Sequence, residues 1–155
     1  MSHESAVAWL AEHAPEVRLI DQAQSTATVV EAAATLGVEP GRIAKTLAFR
    51  VGETPYLLVA RGDARLDNAR CKAELGGRPR MLGPDETLAL TGHAVGGVCP
   101  FGLATPLPIL ADRSLLAFPT VFPAAGSRTS SVELEPARLA ELVGARWVEI
   151  CKLPE

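Results

Sequence analysis

The spacing of apolar residues predicts several short helices and strands rather than one repeating pattern. Ser2–His13 carries apolar residues along one side and ends before Pro15, which is typical of a helix. Thr28 and Glu31 have the spacing of a capping box, and apolar residues follow at helical intervals until Gly37, so a second helix is predicted there. Further helices are predicted over residues 67–75, 84–90 and 136–143.

Runs of apolar residues predict the strands. Ala44–Val51 and Tyr56–Ala60 flank the turn signal Gly52-Glu53-Thr54-Pro55, so this pair is predicted as a β-hairpin. Shorter strands are predicted over residues 17–20, 108–111, 115–119, 131–135 and 146–150. The order lacks the steady strand–helix alternation of a doubly wound sheet. The sequence therefore predicts an α+β (mixed α/β) fold.

Length and composition favour a single globular domain. The chain has 155 residues, enough to bury a core, and the expected domain spans residues 1–155. Its 48% hydrophobic and 21% charged residues are ordinary for a soluble protein. The first ten residues lack a basic segment followed by a long apolar run, and no window reaches a membrane-spanning length. We expect a cytoplasmic location and no membrane partner.

The net charge limits the kind of nucleic-acid contact that is expected. At −3 it does not suit a protein that grips long nucleic acid through phosphates, so no DNA partner is expected. Between Arg61 and Arg80, six basic residues stand against three acidic ones. This local excess either meets a few phosphates or forms a solvated helix face. One Tyr and two Trp are too few for a platform that stacks many bases.

Cysteine usage argues against a disulfide framework and a zinc site. The three cysteines, Cys71, Cys99 and Cys151, are odd in number and none has C-x-x-C spacing. No cluster of metal ligands is evident, so neither a metal nor a cofactor is expected.

Two features could carry chemistry. Lys45 stands near the start of an apolar strand, where a lysine either points to solvent or serves a site. The segment Thr91–Gly102 holds four glycines and a proline in twelve residues, which excludes a regular helix. Such a segment either packs as a buried loop or brings backbone N–H donors close to a ligand. Its glycine spacing matches neither a Walker loop nor a dinucleotide fingerprint.

These two features together carry a resemblance. The first motif is Ile43-Ala44-Lys45-Thr46-Leu47, which follows a helix that ends at Gly37. The second is the Gly-x-x-x-Gly-Gly-x-x-Pro-x-Gly pattern of Gly92–Gly102. Together they resemble the YbaK / prolyl-tRNA-synthetase-associated editing domain family. The resemblance covers about residues 26–150. It implies a curved mixed β-sheet or partly closed barrel with flanking short helices.

The resemblance also implies a function. Members of that family hydrolyse the ester of mischarged tRNA, so a free-standing trans-editing deacylase is expected, acting on tRNA(Pro) that carries Ala, Ser, Thr or Cys. Lys45 matches the essential lysine of the family, as a substrate anchor or as part of the chemistry. The substrate-binding residues that it implies or that adjoin its motifs are Gly92, His93, Gly96, Gly97, Val98, Cys99, Pro100, Phe101, Gly102, Thr46, Asp112 and Ser127.

Several of these residues have a second interpretation. Thr46, Val98 and Phe101 are either pocket walls or ordinary core residues. For His93, filling space in the loop is favoured over acid–base catalysis, and Cys99 is expected to be a small apolar filler. Asp112 either fixes a loop through backbone hydrogen bonds or touches substrate, and it belongs to the segment Leu107–Asp112 that resembles the family.

One stretch departs from the family pattern. Ala124–Ser131, which includes Ser127, stands where many relatives carry several glycines and a basic residue. Its hydroxyls line a different pocket or contact RNA, which argues against cysteine specificity of the YbaK type and leaves Ser, Thr or Ala open. The expected partner is the 3′ end of aminoacylated tRNA, with help from a synthetase or an elongation factor. The alternative is a non-catalytic module of the same fold that binds a tRNA 3′ end or a nucleotide or is regulatory.

Overall fold

A β-hairpin forms the centre of the fold in the computed structural model, which describes residues 2–22 and 24–154. β2 (Ile43–Val51) and β3 (Thr54–Arg61) pair antiparallel from Ala44 to Val51 without a bulge. Gly52, in the two-residue turn between them, has a φ of 61°. Glycine suits this left-handed conformation, which hairpin turns of this length favour. The predicted hairpin is confirmed, with a shorter turn than the sequence signal.

Strands on both sides extend the hairpin into a mixed sheet, six-stranded in the described residues. β6 (Ile109–Asp112) pairs parallel with β3, and β9 (Arg146–Val148) pairs parallel with β6. On the other edge of β2, β5 (Arg80–Met81) pairs antiparallel and β7 (Phe122–Pro123) pairs parallel. Two smaller antiparallel pairs join β1 (Leu19–Asp21) to β8 (Ser130–Val132) and β4 (Arg65–Leu66) to β10 (Cys151–Lys152). The α+β fold class is confirmed, and the main sheet is open in the described part because its path ends at β5 and β9.

Short helices flank the sheet and begin where the sequence signals place them. Thr28 accepts a hydrogen bond from the backbone N–H of Glu31, and Asp67 accepts one from Arg70 N–H. Each cap satisfies a donor that a helix start leaves unpaired. The described α-helices are α1 (Ser2–His13), α2 (Val29–Leu36), α3 (Asn68–Leu75), α4 (Pro84–Thr91) and α5 (Pro136–Val143). None of them, within the residues described, is long and apolar enough to cross a membrane.

The two faces of the sheet bury different apolar clusters. Ala44 packs on one face with Val59 in a cluster that reaches α1 and α5. Phe49 and Leu58 pack on the other face. Because side chains alternate along a strand, Lys45 projects from β2 on the Phe49 face and Thr46 on the Ala44 face.

The strand predicted over residues 115–119 is wrong. Arg113–Ala117 forms a 3-10 helix instead. The Asp112 carboxylate accepts a hydrogen bond from Ser114 N–H at 3.0 Å, and Leu115 is fully buried. A local bond from an aspartate to the backbone competes with strand pairing, and here it starts the 3-10 turn.

Candidate functional site

A cleft of about 280 Å³ opens beside the edge of β2. Ligand pockets typically span roughly 300–1,000 Å³, so its size suits a small ligand or one end of a larger one. Segments from β2, the start of α2, the region of β5 and the glycine-rich loop meet around it. The cleft lining includes Thr28, Lys45, Thr46, Met81, Val95, Gly96, Val98, Ala124 and Ser131.

The floor of the cleft is a gap in the sheet. On this edge of β2, β7 pairs at Ile43 and Ala44 and β5 pairs at Phe49 and Arg50. No described strand pairs with that edge between them. Leu82 N–H donates to the Ala48 carbonyl across it at 3.0 Å. Backbone groups of a strand point to alternate edges, so the N–H and C=O of Thr46, two residues before Ala48, point into the gap.

Lys45 lies at the cleft, but its ammonium is partly engaged elsewhere. Nζ donates a hydrogen bond to the backbone carbonyl of Ala64. The side chain is half-buried, and this desolvation lowers the pKa of its ammonium. Of the described residues that line the cleft, Lys45 alone carries a charge.

Thr46 presents an unsatisfied hydroxyl at the same place. Its Oγ1 is buried and has no hydrogen-bond partner among the described residues. A buried hydroxyl without a partner costs roughly 1–3 kcal/mol, so such groups are uncommon in folded proteins. Its hydroxyl has no partner among the described residues, and its N–H and C=O point into the gap, where no described strand pairs with them.

The glycine-rich loop forms one wall through Val95, Gly96 and Val98. Gly96 has a φ of 99°, which a residue with a side chain rarely adopts. The backbone of Gly97 lies so close to the turn at Gly126 that a Cβ on it would stand 2.9 Å from the carbonyl carbon of Gly126. The loop is therefore fixed by close backbone contact with the Ala124–Ser131 stretch.

The rear of the loop is buried in the core. His93, Cys99 and Phe101 are all fully buried. The Phe101 ring lies 5.7 Å from that of Trp9 in α1, and a Cβ on Gly102 would stand 2.4 Å from the carbonyl oxygen of Ser5. Among the predicted substrate-binding residues, the following lie outside the cleft lining: Gly92, His93, Gly97, Cys99, Pro100, Phe101, Gly102, Asp112 and Ser127. The structure brings Lys45, Thr46, Gly96 and Val98 together.

Buried hydrogen bonds occupy the titratable groups of the loop. The ring Nε2–H of His93 donates to the Phe101 carbonyl at 2.7 Å, and its Nδ1 has no partner among the described residues. Burial lowers the pKa of His93. Burial also raises the pKa of the Cys99 thiol to about 12, so it does not act as a thiolate nucleophile.

We expect acid to destabilise the fold through His93. Unfolded histidine has a pKa of about 6.5 and the folded value is lower, so below that pH the unfolded state gains a proton that the folded state resists. The free energy of unfolding should therefore fall between pH 7.5 and pH 5.5. Urea unfolding at both pH values, compared with His93→Phe, measures the contribution. An equal fall in the variant would remove His93 as its source.

Asp112 and Ser127 make hydrogen bonds to other groups of the protein. Asp112 is buried and accepts hydrogen bonds from Ser114 N–H and, at 2.9 Å, from Ile150 N–H. The Ser127 hydroxyl lies 2.6 Å from that of Ser130, and it accepts from Thr129 N–H at 3.3 Å. Both side chains are hydrogen-bonded within the fold and lie outside the cleft lining.

Sequence reasoning missed much of the cleft wall. Thr28 and Met81 line it, and Arg128 approaches it, since a Cβ on Gly96 would stand 3.2 Å from its Cγ. The capping box at Thr28 marked a helix start but gave no sign that it lies beside Lys45. Across the described chain, no group of three or more metal-ligating side chains is found.

The family of the chain follows from comparison with known proteins. The sequence model of a family described as "Aminoacyl-tRNA editing domain" matches residues 23–142. The chain belongs to this family. The match includes Lys45, the gap in the sheet and the glycine-rich loop, and it confirms the resemblance carried by the two motifs.

Three proteins similar to this chain were found, and the names of two of them agree with this assignment. YwhH of Bacillus subtilis, named an uncharacterized protein, is 50% identical over 130 residues, which cover 83% of this chain and 83% of YwhH. EbsC of Enterococcus faecalis, named provisionally as a Cys-tRNA(Pro)/Cys-tRNA(Cys) deacylase, is 31% identical over 76% of this chain and 73% of its own length. A crystal structure of a provisionally assigned trans-editing enzyme for prolyl-tRNA synthetase superposes with a TM-score of 0.89 at 34% identity, covering 97% of both chains.

Proposed function

We propose that this editing domain is a trans-acting deacylase that hydrolyses the ester of mischarged tRNA, with tRNA(Pro) carrying a small amino acid as the substrate. One observation carries the proposal. Lys45, the open edge of β2 at Thr46 and the loop at Gly96 line one cleft. The names of EbsC and of the superposed crystal structure support the same reaction and the link to prolyl-tRNA.

The proposed reaction needs a positioned water and stabilisation of an oxyanion. Water attacks the ester carbon, the bond to the ribose oxygen breaks, and the adenosine hydroxyl leaves with a proton. Backbone N–H donors in a desolvated cleft stabilise the developing negative oxygen, and one such donor is typically worth ~3–4 kcal/mol. Water is the proposed nucleophile because Cys99 is buried with a raised pKa and the Ser127 hydroxyl is bonded within its turn.

Lys45 has two roles open to it in this scheme. As an anchor, its ammonium pairs with a phosphate or a polar group of the terminal adenosine. As part of the chemistry, it stabilises negative charge in the transition state. In the free protein its ammonium donates to the Ala64 carbonyl, so either role requires the ammonium to reach the ligand from that position.

The selection among amino acids is proposed to be steric. The cleft is small, and apolar side chains such as Leu47, Val98 and Phe122 line it. A pocket of this kind excludes a larger cognate amino acid by steric clash. Discrimination in the other direction is weaker, because the absence of one methylene changes the binding free energy by only ~1–3 kcal/mol. The cleft is therefore proposed to accept Ala, Ser, Thr or Cys and to exclude proline.

A panel of mischarged tRNAs tests the proposed function. We expect the protein to accelerate ester loss from at least one of Ala-, Ser-, Thr- and Cys-tRNA(Pro), and to leave Pro-tRNA(Pro) at its spontaneous rate. The measurement is the loss of radiolabelled amino acid from the tRNA with time. Spontaneous rates on every member of the panel would contradict the proposal, and equal turnover of Pro-tRNA(Pro) would contradict the steric selection.

A second candidate is a binding module without turnover. The bond between the Lys45 ammonium and the Ala64 carbonyl favours it, because a group engaged with the scaffold is less free for chemistry. Binding of charged tRNA with no acceleration of ester loss would support this candidate. The partners proposed for either function are the tRNA 3′ end and a synthetase or elongation factor that supplies affinity, in the cytoplasm.

A further inference from the structure

We infer that the gap in the sheet at Thr46 binds the esterified amino acid as a strand of one residue. The α-ammonium of the substrate donates to the Thr46 carbonyl, and the ester carbonyl accepts from Thr46 N–H. The ligand class is an α-amino ester with a free amino group. This inference rests on the proposed function and names the part of the substrate that the site reads.

The gap stays open because neither neighbouring strand can continue into it. Extending the β2–β5 register, in which Phe49 faces Met81, would place Pro84 opposite Thr46. Proline has no N–H to donate, and here it starts α4. Extending β7 would bring Ala125 opposite Thr46 and require Gly126 N–H to donate to the Thr46 carbonyl. Gly126 has a φ of 85°, which is not a strand conformation, so the chain turns away before it reaches Thr46.

The gap has the length of one residue. β7 closes one end at Ala44, and the hydrogen bond from Leu82 N–H to the Ala48 carbonyl closes the other. Thr46 is the residue between them whose backbone groups point into the gap. In an antiparallel pair, two opposed residues exchange both of their N–H···O bonds, so a single aminoacyl group satisfies Thr46 fully.

The chemistry of an aminoacyl ester matches this pair of groups. Its ammonium is a strong donor, and a charge-assisted hydrogen bond to a carbonyl is stronger than a neutral one. Its ester carbonyl oxygen gains negative charge during hydrolysis, so an N–H aimed at it stabilises the transition state more than the ground state. An N-acyl group adds a second peptide unit, for which the closed ends of the gap leave no room.

The Thr46 hydroxyl is an independent sign of the same site. It is buried and has no partner in the described residues, although a hydroxyl in such a position normally finds one. A bound ammonium or a substrate hydroxyl supplies that partner. The unpaired Thr46 hydroxyl therefore lowers the stability of the free protein, and a bound ligand would supply the missing hydrogen bond.

The first test compares substrates that differ only at the amino group. Whichever mischarged tRNA the protein hydrolyses is prepared with a free and with an N-acetylated amino acid, and each rate is divided by its spontaneous rate. We expect acetylation to reduce the acceleration at least ~30-fold, by loss of the ammonium bond and by crowding. Equal acceleration of both substrates would overturn the inference and leave the proposed function standing.

The second test separates a substrate contact from a scaffold role. Thr46→Val keeps the shape and removes the hydroxyl, so we expect Tm to rise while the deacylation rate falls at least ~5-fold. Thr35→Val is the matched control, since its hydroxyl donates to the Ser25 carbonyl away from the cleft. That variant should lose Tm and keep its rate. A Thr46→Val protein with unchanged rate would remove the hydroxyl from the site.

A binding measurement decides the inference even if the protein proves to hydrolyse nothing. The probe is adenosine that carries alanine through a stable 3′-amide bond, with its amino group free or acetylated. We expect the free form to shift the Thr46 amide resonance in a ¹⁵N spectrum and the acetylated form to leave it in place. Absence of turnover together with this shift would refute the proposed function alone, and a Thr46 resonance that neither probe moves would refute the inference.

Discussion

Lys45→Ala should lower the rate of deacylation at least ~10-fold, equivalent to about 1.4 kcal/mol of transition-state stabilisation. Lys45 is the charged residue among the described residues that line the cleft, and its ammonium is partly desolvated. A charge in such surroundings acts more strongly on a ligand than an exposed one. The measurement is kcat/KM on the mischarged tRNA that the panel identifies.

Two further variants make this result specific. Lys45→Arg keeps the charge, and Lys72→Ala removes an exposed lysine from α3. The latter should retain the full rate. A rise in KM with kcat unchanged would assign Lys45 to anchoring, and a fall in kcat would assign it to the chemistry. Full activity in Lys45→Ala would exclude the residue from the mechanism.

Gly97→Ala should displace the glycine-rich loop and reduce activity by up to ~100-fold, because small errors of position are costly at a reacting centre. The added Cβ would stand 2.9 Å from both the Gly126 carbonyl carbon and the Ser127 nitrogen. These are backbone atoms, so the contact is relieved only if the loop or the turn moves. We also expect a loss of ~1–3 kcal/mol in the free energy of unfolding, typical of overpacking. Deacylation kinetics and urea unfolding measure the two effects.

Gly83→Ala provides the matched control for this substitution. Gly83 has a φ of −72°, and a Cβ on it would meet nothing within 4 Å. Since it precedes α4 as the N-cap, its replacement should cost under ~1 kcal/mol of stability and keep the deacylation rate. If Gly97→Ala and Gly83→Ala changed the deacylation rate and the free energy of unfolding equally, the contact between Gly97 and the turn would not be what fixes the loop.

The local parts of the fold could be predicted from the sequence because their causes are local. The caps at Thr28 and Asp67 and the hairpin turn at Gly52 depend on residues close in the chain. The two-residue strands β4, β5, β7 and β10 carry no periodicity of their own and exist because distant segments pair with them. The error at 115–119 has a different origin: one local side-chain bond, from Ser114 N–H to the Asp112 carboxylate, decides between two conformations that suit an apolar run.

The candidate site was predictable in its motifs and not in its geometry. The residue pattern singles out Lys45 and the glycine-rich loop, the family resemblance assigns them to a site, and Gly96 and Val98 of that loop line the cleft. The free edge of β2 could not be foreseen, because it results from where β5 and β7 stop. Nor does a glycine pattern reveal which side of a loop faces a cavity, and the His93, Cys99 and Phe101 side chains are buried away from it.

The packing of α1 (Ser2–His13) behind the glycine-rich loop gives this helix an influence on the cleft that it does not itself line. Its residues precede the matched region at 23–142, and none of those described lines the cleft. Yet Ser5 abuts Gly102, and His3 Nδ1 lies 3.1 Å from the Ala125 carbonyl, so one helix braces both segments that shape the far wall. Deleting α1 should make this wall less rigid and weaken the selection of amino acids by size, although no described residue of the helix lines the cavity.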